Sequence, residues 1–389
     1  PSGSALMVSY LGYPGVAGGV HWDYTLADSI VLPPDHSRGV EEPLIYLPFS
    51  YQANDYAPSS PAILEEDLVP QKYIRYCNIN QVDKYEPVSW NLWMNILRRT
   101  PGSTLALYRM RDPLGAHVVR HLSEEAEVRG IHPSRILWFE RLPRKQHAQR
   151  IASQCDLFLD HLLYGAHTTG ADALWAAVPL LTINGWGGSL KDQAGRFSSR
   201  VGASLVRSLG LERYMLMDTL TDFEDVAVDV PRHELRKTTL AATAREPLFD
   251  AGNSVSNVER ALQAAVEVTL AGAYGYHVVS DPRQKRHNDN RRDCWRRLAA
   301  STLGGNEERP CLDDADFAVA VDYKNESDPG PSLERVRAGT AYRFVAAYPH
   351  DPNALAFRGL SSHLNGNNEA AVPYLRKACG EAPWTSHFW

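Results

Sequence analysis

Between Lys72 and Leu209 the chain alternates short apolar runs with longer amphipathic ones, a rhythm that few folds accommodate. The runs at 73–77, 105–108, 136–139, 157–159 and 180–183 have the length and composition of buried strands. The intervening segments 88–99, 117–129, 145–153 and 170–177, with 197–209 after the last run, have helical spacing, and the first is stopped by Pro101 and Gly102. Strands that alternate with helices build a parallel sheet covered on both faces, with ligands at the carboxyl ends of its strands. The expected class is therefore α/β, a doubly wound parallel sheet. Three polar stretches fall at such ends: 78–84, 142–150 and 164–172.

The last of these is the most informative. A short apolar run ending at Asp160 passes through a glycine-containing turn into Ala166-His167-Thr168-Thr169-Gly170-Ala171-Asp172 and then an Ala/Leu/Trp-rich segment. That pattern is strand, tight turn, helix. A helix start presents unpaired backbone N–H groups and the positive end of the helix dipole, which suits a phosphate or diphosphate. The pattern equally fits a plain helix start at which Thr168 and Thr169 are N-caps.

Composition removes several alternatives. With 389 residues, 44% hydrophobic and 22% charged, the chain has material for two globular domains. A net charge of −6 gives no electrostatic reason to expect nucleic acid or an anionic membrane as partner. No uninterrupted apolar run reaches the roughly 20 residues of a membrane span, and no amino-terminal signal pattern is present. Five scattered cysteines, Cys77, Cys155, Cys294, Cys311 and Cys379, form no CxxC pair, which points to reduced thiols and a cytoplasmic or nuclear protein. His117 and His121 share a helix face but have no third ligand at suitable spacing, so no metal is expected.

Several stretches, taken together, resemble the protein O-GlcNAc transferase family, glycosyltransferase family 41. They are Leu11-Gly12-Tyr13-Pro14-Gly15 with Asp23-Tyr24, the NINQVDK loop from Asn78 to Lys84, Pro143 with His147 and Arg150, the His167-Thr168-Thr169-Gly170 turn with Asp172, and the segment from Arg245 to Asp250. They occur in the family's order, and the resemblance covers about residues 8–265. It implies a GT-B fold and transfer of N-acetylglucosamine from UDP-GlcNAc to Ser or Thr of proteins, with inversion and without a metal or cofactor. It also implies roles. Lys84 would neutralise charge on the leaving diphosphate, as a fixed cation must. Gln81, Arg144, His147, Arg150, His167, Thr168, Thr169 and Asp172 would hold UDP, with His147 stacked on uracil and Asp172 on ribose. Leu11, Gly12 and Pro14 would lie against the sugar, with Tyr164 beside it.

Three residues depart from that pattern. Arg144 stands where the family usually has lysine, which keeps the charge but not the shape. Tyr164 replaces a small cysteine of animal members near the expected N-acyl pocket, which leaves the sugar's identity open. Asp83 replaces an aromatic.

Four regions are expected: 1–65 as the tail of an amino-terminal catalytic lobe, 66–270 as a complete carboxyl-terminal lobe, 271–331 as a linker, and 332–389 as a helical segment resembling a tetratricopeptide repeat. In the last, Leu355, Gly359, Ala371, Leu375, Ala378 and Pro383 fall at the repeat's packing positions. Such a tail would contact protein partners. The linker carries the basic run 283–297, read either as a solvated face or as a nuclear-import or RNA-contacting patch. The chain starts at Pro1 and joins the family pattern partway through its catalytic region, so it is expected to be a fragment that binds UDP weakly and does not turn over alone. The competing expectation is a catalytically inactive UDP-binding adaptor. Another GT-B transferase or a sugar-nucleotide epimerase would share the fold but has no reason to carry the LGYPG and HTTG stretches together.

Overall fold

A computed structural model describes residues 6–15, 22–33, 40, 42–58, 62–183, 185, 197–270, 277–280 and 318–321. The basic run 283–297, the repeat-like segment 332–389 and Cys294, Cys311 and Cys379 lie outside the described residues. The chain divides into two compact units, one of residues 8–41 and 49–255, the other of 1–7, 42–48 and 256–389.

The strands are β1 (Val8–Ser9), β2 (Tyr24–Asp28), β3 (Leu44–Leu47), β4 (Arg75–Asn78), β5 (Thr104–Tyr108), β6 (Ile136–Phe139), β7 (Leu157–Leu159), β8 (Leu180–Ile183), β9 (Leu216–Met217), β10 (His277–Ser280) and β11 (Ala318–Val321). The helices are α1 (Pro87–Arg99), α2 (Leu114–Val128), α3 (Arg144–Gln154), α4 (Thr168–Trp175), α5 (Val201–Ser208), α6 (Glu212–Met215), α7 (Leu220–Asp229), α8 (Arg232–Thr243) and α9 (Ala251–Leu270).

In the smaller unit β10 pairs in parallel with β3 and antiparallel with β11, and buried His277 accepts the Leu44 amide on Nδ1 at 2.8 Å. In the larger unit β1 pairs in parallel with β2, and a six-stranded parallel sheet runs β6-β5-β4-β7-β8-β9. The first three strands of that sheet are laid down in one direction from β4. The chain then returns through α3 to place β7 on the other side of β4 and continues outward. The reversal between β4 and β7 is a topological switch point, where the loops leaving two adjacent strands diverge and open a crevice.

Local chemistry explains the elements around that crevice. Glu86 caps α1 by accepting from Val88 N at 2.6 Å and Ser89 N at 2.9 Å, and Pro87 occupies the first helical position. The helix then buries Trp90, Leu92, Trp93, Met94, Ile96 and Leu97 in the sheet's core with Leu105, Leu107, Leu157 and Leu159. On β7's flank, Gly202 lets α5 pass so close that an added Cβ would lie 2.3 Å from Asp160 Oδ2 and 2.8 Å from Thr182 Oγ1.

Strands near the amino terminus are shorter than their apolar runs. The run 5–11 yields only β1, since Gly12 N turns back to Tyr10 O at 2.7 Å and Leu11 sits at φ 62°. The run 23–32 yields β2, which ends because buried Asp28 captures the amides of Ile30 and Val31 at 2.9 and 3.0 Å. The run 44–55 yields β3, ended by Pro48, which has no N–H to give a ladder. Its remaining apolar residues, Tyr51 among them, are buried in irregular chain, where Asp28 also accepts Tyr51 N at 2.8 Å.

Candidate functional site

The loop leaving β4 starts with a self-contained brace. Asn78 donates to Leu159 O at 2.7 Å across to β7, and its own oxygen receives Asn80 N at 3.1 Å. The chain then makes a single helical turn, Val82–Lys84, with Gln81 at its cap. This turn sends Lys84 toward the neighbouring strand's loop.

The loop leaving β7 is built on Asp160. This buried carboxylate accepts His161 N at 2.8 Å, Ala166 N at 2.7 Å and Thr182 Oγ1 at 2.8 Å. Burial raises its pKa, while the three hydrogen bonds and the Lys84 charge pull the other way. Residues 161–166 therefore close around one side chain, and α4 begins immediately after them.

Lys84 meets this loop. Its ammonium donates to Gly165 O at 2.9 Å and lies over the Tyr164 ring, 4.2 Å from the centroid. Burial lowers its pKa to about 8, opposed by Asp160 and Asp83. At neutral pH it is therefore a largely protonated, poorly solvated cation, with donors left over for a ligand. His167 caps α4 without a side-chain cap bond, and Ala171 N reaches His167 O at 3.0 Å, so the amides of Thr168, Thr169 and Gly170 lead the helix. An added Cβ on Gly170 would lie 3.1 Å from Ala166, Leu180 and Leu205, which fixes this helix end against the sheet. The cation and the helix terminus thus converge where β4 and β7 diverge.

The threonines are not N-caps. Thr168 Oγ1 accepts from Gln52 at 3.5 Å, and Thr169 Oγ1 donates to buried Asn80 Oδ1. Both hydroxyls are engaged with other loops, so neither caps the helix. Asn80 Nδ2 is buried with no partner among the described residues.

His167 is neutral, held down to about 3 by burial and by the Lys84 charge, and packs beside Tyr164 at 5.1 Å. His147, on α3, is held down to about 4 by burial and then by Arg150. Its Nδ1 lies 3.4 Å from Arg150 Nη2, and since a guanidinium only donates, the ring proton is assigned to Nε2. Nε2 is 3.8 Å from Asp172 Oδ2, an ion-pair distance, but a neutral ring makes no ion pair there. Arg150 itself lies over Phe139, 4.6 Å from the ring centroid. A neutral, half-buried imidazole backed by a stacked arginine offers a flat face to a base.

The spacing after the His167 turn puts Asp172 inside the first helical turn, and the structure places it further along. It is the fifth residue of α4, beyond the first turn, where the helix dipole has little hold on it. Tyr56 holds it instead, donating to Oδ1 at 2.7 Å. Arg144, expected to hold UDP, places its guanidinium over the Tyr56 ring, 4.9 Å from the centroid. Gln81 is exposed, and its side chain makes no bond among the described residues. Leu11, Gly12 and Pro14 belong to a loop anchored by Tyr10, whose hydroxyl donates to Tyr51 O at 3.1 Å. Tyr13 of that loop is close enough to Tyr164 to help raise its pKa, after burial and Asp83. The sequence assigned no site role to Gln52, Tyr56, Asn80 or Asp160. Asn80 and Asp160 sit in the very stretches it singled out, whereas nothing in the sequence links Tyr56 to a helix over a hundred residues on.

The family model for glycosyl transferase family 41 matches residues 64–257. The Arabidopsis thaliana protein named as a probable UDP-N-acetylglucosamine–peptide N-acetylglucosaminyltransferase SEC is 32% identical over 272 residues, 66% of this chain and 26% of that protein. The Caenorhabditis elegans UDP-N-acetylglucosamine–peptide N-acetylglucosaminyltransferase is 31% identical over 160 residues, 41% of this chain and 13% of that protein. The chain therefore spans about a quarter, 26%, of the length of the plant relative. A variant of the Thermobaculum terrenum O-GlcNAc transferase superposes with a TM-score of 0.54 at 22% identity, covering 68% of this chain and 49% of that one. That likeness is one of fold, and the fold is the expected α/β architecture of GT-B type.

Proposed function

We propose, from the premise that this chain belongs to glycosyltransferase family 41, that its larger unit holds the UDP of a UDP-N-acetylglucosamine donor for sugar transfer to Ser and Thr hydroxyls of proteins. The observation that carries this reading is the contact of the Lys84 ammonium with Gly165 O, in the loop that leads into α4 at the switch point between β4 and β7. An acceptor hydroxyl attacks the anomeric carbon from the face opposite the diphosphate, the bond to the phosphate oxygen breaks, and inverted product, UDP and a proton are released. Charge grows on the leaving oxygens as that bond lengthens, and a desolvated lysine is worth more there than in water. Lys84 does this without a metal. The amides of Thr168 and Thr169 position the diphosphate, His147 stacks on the base, and Asp172 accepts from ribose. Tyr164, under the ammonium, borders the sugar, with Leu11, Gly12 and Pro14 on its far side. Cys77 and Cys155, both buried and unpaired as disulfides, support a cytoplasmic or nuclear setting.

Calorimetry with UDP tests the binding half of this reading, and transfer from UDP-GlcNAc to a Ser/Thr peptide tests the rest. Saturable UDP binding that Lys84→Ala weakens is the expected result. Absence of any UDP binding by the chain would remove this reading.

A further inference from the structure

One contact at the site has no counterpart in the sequence reading. The segment before β4 carries Tyr56 across α4, where its ring stacks on Trp175 with centroids 5.2 Å apart at 15° and meets Phe249 edge-on at 5.6 Å. Arg144 covers the ring at 4.9 Å. So confined, the ring holds its hydroxyl 2.7 Å from Asp172 Oδ1, its shortest contact, and 3.4 Å from Thr168 O, with the Arg144 side chain also hydrogen-bonded to it. The other carboxylate oxygen, Oδ2, faces His147 Nε2 at 3.8 Å, too long for a good hydrogen bond. One oxygen of Asp172 is thus committed and the other is held toward the ring proposed to stack on uracil.

We propose that Tyr56 is a positioning residue for the donor's ribose: by fixing Oδ1 it presents Asp172 Oδ2 at a set angle to the sugar hydroxyls of the nucleoside. This rests on the reading of the pocket as a UDP site and deepens it. A ribose hydroxyl donating to Oδ2 takes the place that the neutral imidazole fills too loosely, and Tyr56 keeps the carboxylate from turning away to spread both oxygens over other donors. Burial raises the Asp172 pKa, the Tyr56 hydrogen bond lowers it, and Arg144, stacked on Tyr56, lowers it directly by its charge. That is why an arginine with a planar face serves here and a lysine would not stack so well.

The test compares three ligands by calorimetry on the full chain and its Tyr56→Phe variant: UDP, its 2′,3′-dideoxy counterpart and inorganic pyrophosphate. Phenylalanine keeps the stack on Trp175 and removes only the donor. UDP affinity should fall about tenfold, the size of effect expected for one hydrogen bond to a charged group. Dideoxy-UDP and pyrophosphate should bind wild type and variant alike, so the preference for ribose over its dideoxy form collapses. Equal losses for UDP and dideoxy-UDP would mean that Tyr56 only supports the fold, and would overturn the proposal, as would an unchanged UDP affinity. Wild-type protein that binds none of the three would instead remove the UDP reading beneath it. Thermal unfolding of the variant, expected within a few degrees of wild type, separates loss of the contact from loss of structure.

Discussion

Lys84 shows how much a single side chain depends on where it is held. Its pKa of about 8 comes first from burial, with Asp160 and Asp83 limiting the fall. A bound diphosphate adds negative charge beside it and must raise that value. Above pH 8, then, binding requires uptake of a proton that the free protein has already lost. UDP affinity should be flat with respect to this group below about pH 7 and should decline above pH 8, by up to tenfold per pH unit until the bound-state value is passed. Titration calorimetry from pH 6 to 10 would show this, and the alkaline decline should vanish in Lys84→Ala. In a form of the protein that turns over, the same substitution should cost transfer roughly 100-fold or more, about 3 kcal/mol of lost stabilisation of developing charge, and a peptide transfer assay reads it directly. An alanine variant that kept wild-type turnover would show that the cation is elsewhere. His147 and His167, held down to about 4 and about 3, should contribute no pH dependence near neutrality.

At the scale of elements, the turn between β7 and α4 matters more than either element alone. Asp160 gathers three donors around one carboxylate, and its charge holds the Lys84 pKa up against burial. Asp160→Asn keeps the shape and removes the charge, so the alkaline decline in UDP affinity should move to lower pH, below the wild-type value of about 8. Gly202→Ala attacks the same turn by bulk. Its Cβ would meet Asp160 Oδ2 at 2.3 Å, well inside contact, and the backbone of α5 would have to shift. A loss of roughly 1–3 kcal/mol in denaturant unfolding is expected, as for other overpacked interiors, with weaker UDP binding beside it. The sequence displayed part of this arrangement. Apolar runs at 136–139, 157–159 and 180–183 became β6, β7 and β8 without adjustment, and β7 and β8 are buried on both faces, which leaves such strands few ways to begin or end. The reading failed where a polar side chain captures backbone. Asp28 ends β2 four residues before its apolar run does, and Asp250, accepting Asn253 N at 3.0 Å, starts α9 at Ala251 where hydrophobic spacing suggests Val255. Short elements between 212 and 243, α6, β9, α7 and α8, carry too little periodicity to be seen in advance. The motif residues Lys84, His147, His167 and Asp172 were all visible, but their partners across the fold, Tyr56 above all, were not, since a contact between distant segments leaves no mark on local pattern.

For the molecule as a whole, the division into two units sets where a ligand can be felt. Every residue proposed to touch UDP or its sugar, from Leu11 to Asp172, belongs to the unit of residues 8–41 and 49–255. The smaller unit contributes β3, β10 and β11, with His277 bonded to Leu44 N, and none of the proposed contacts. A ligand that binds only folded protein stabilises it by about 2.7 kcal/mol at 100 times its dissociation constant, and that gain is confined to the cooperative unit that contains the site. Amide hydrogen exchange with and without saturating UDP should therefore slow across 78–84 and 160–172, where the amides either face the diphosphate or are braced by groups that do. Protection at 277–280 should not change. Slowing of equal size at both places would mean that the two units open as one, and the donor site would then be coupled to the stability of the entire chain. Slowing at 277–280 alone would place the ligand outside the crevice between β4 and β7, and the transferase reading would lose the geometry on which it stands.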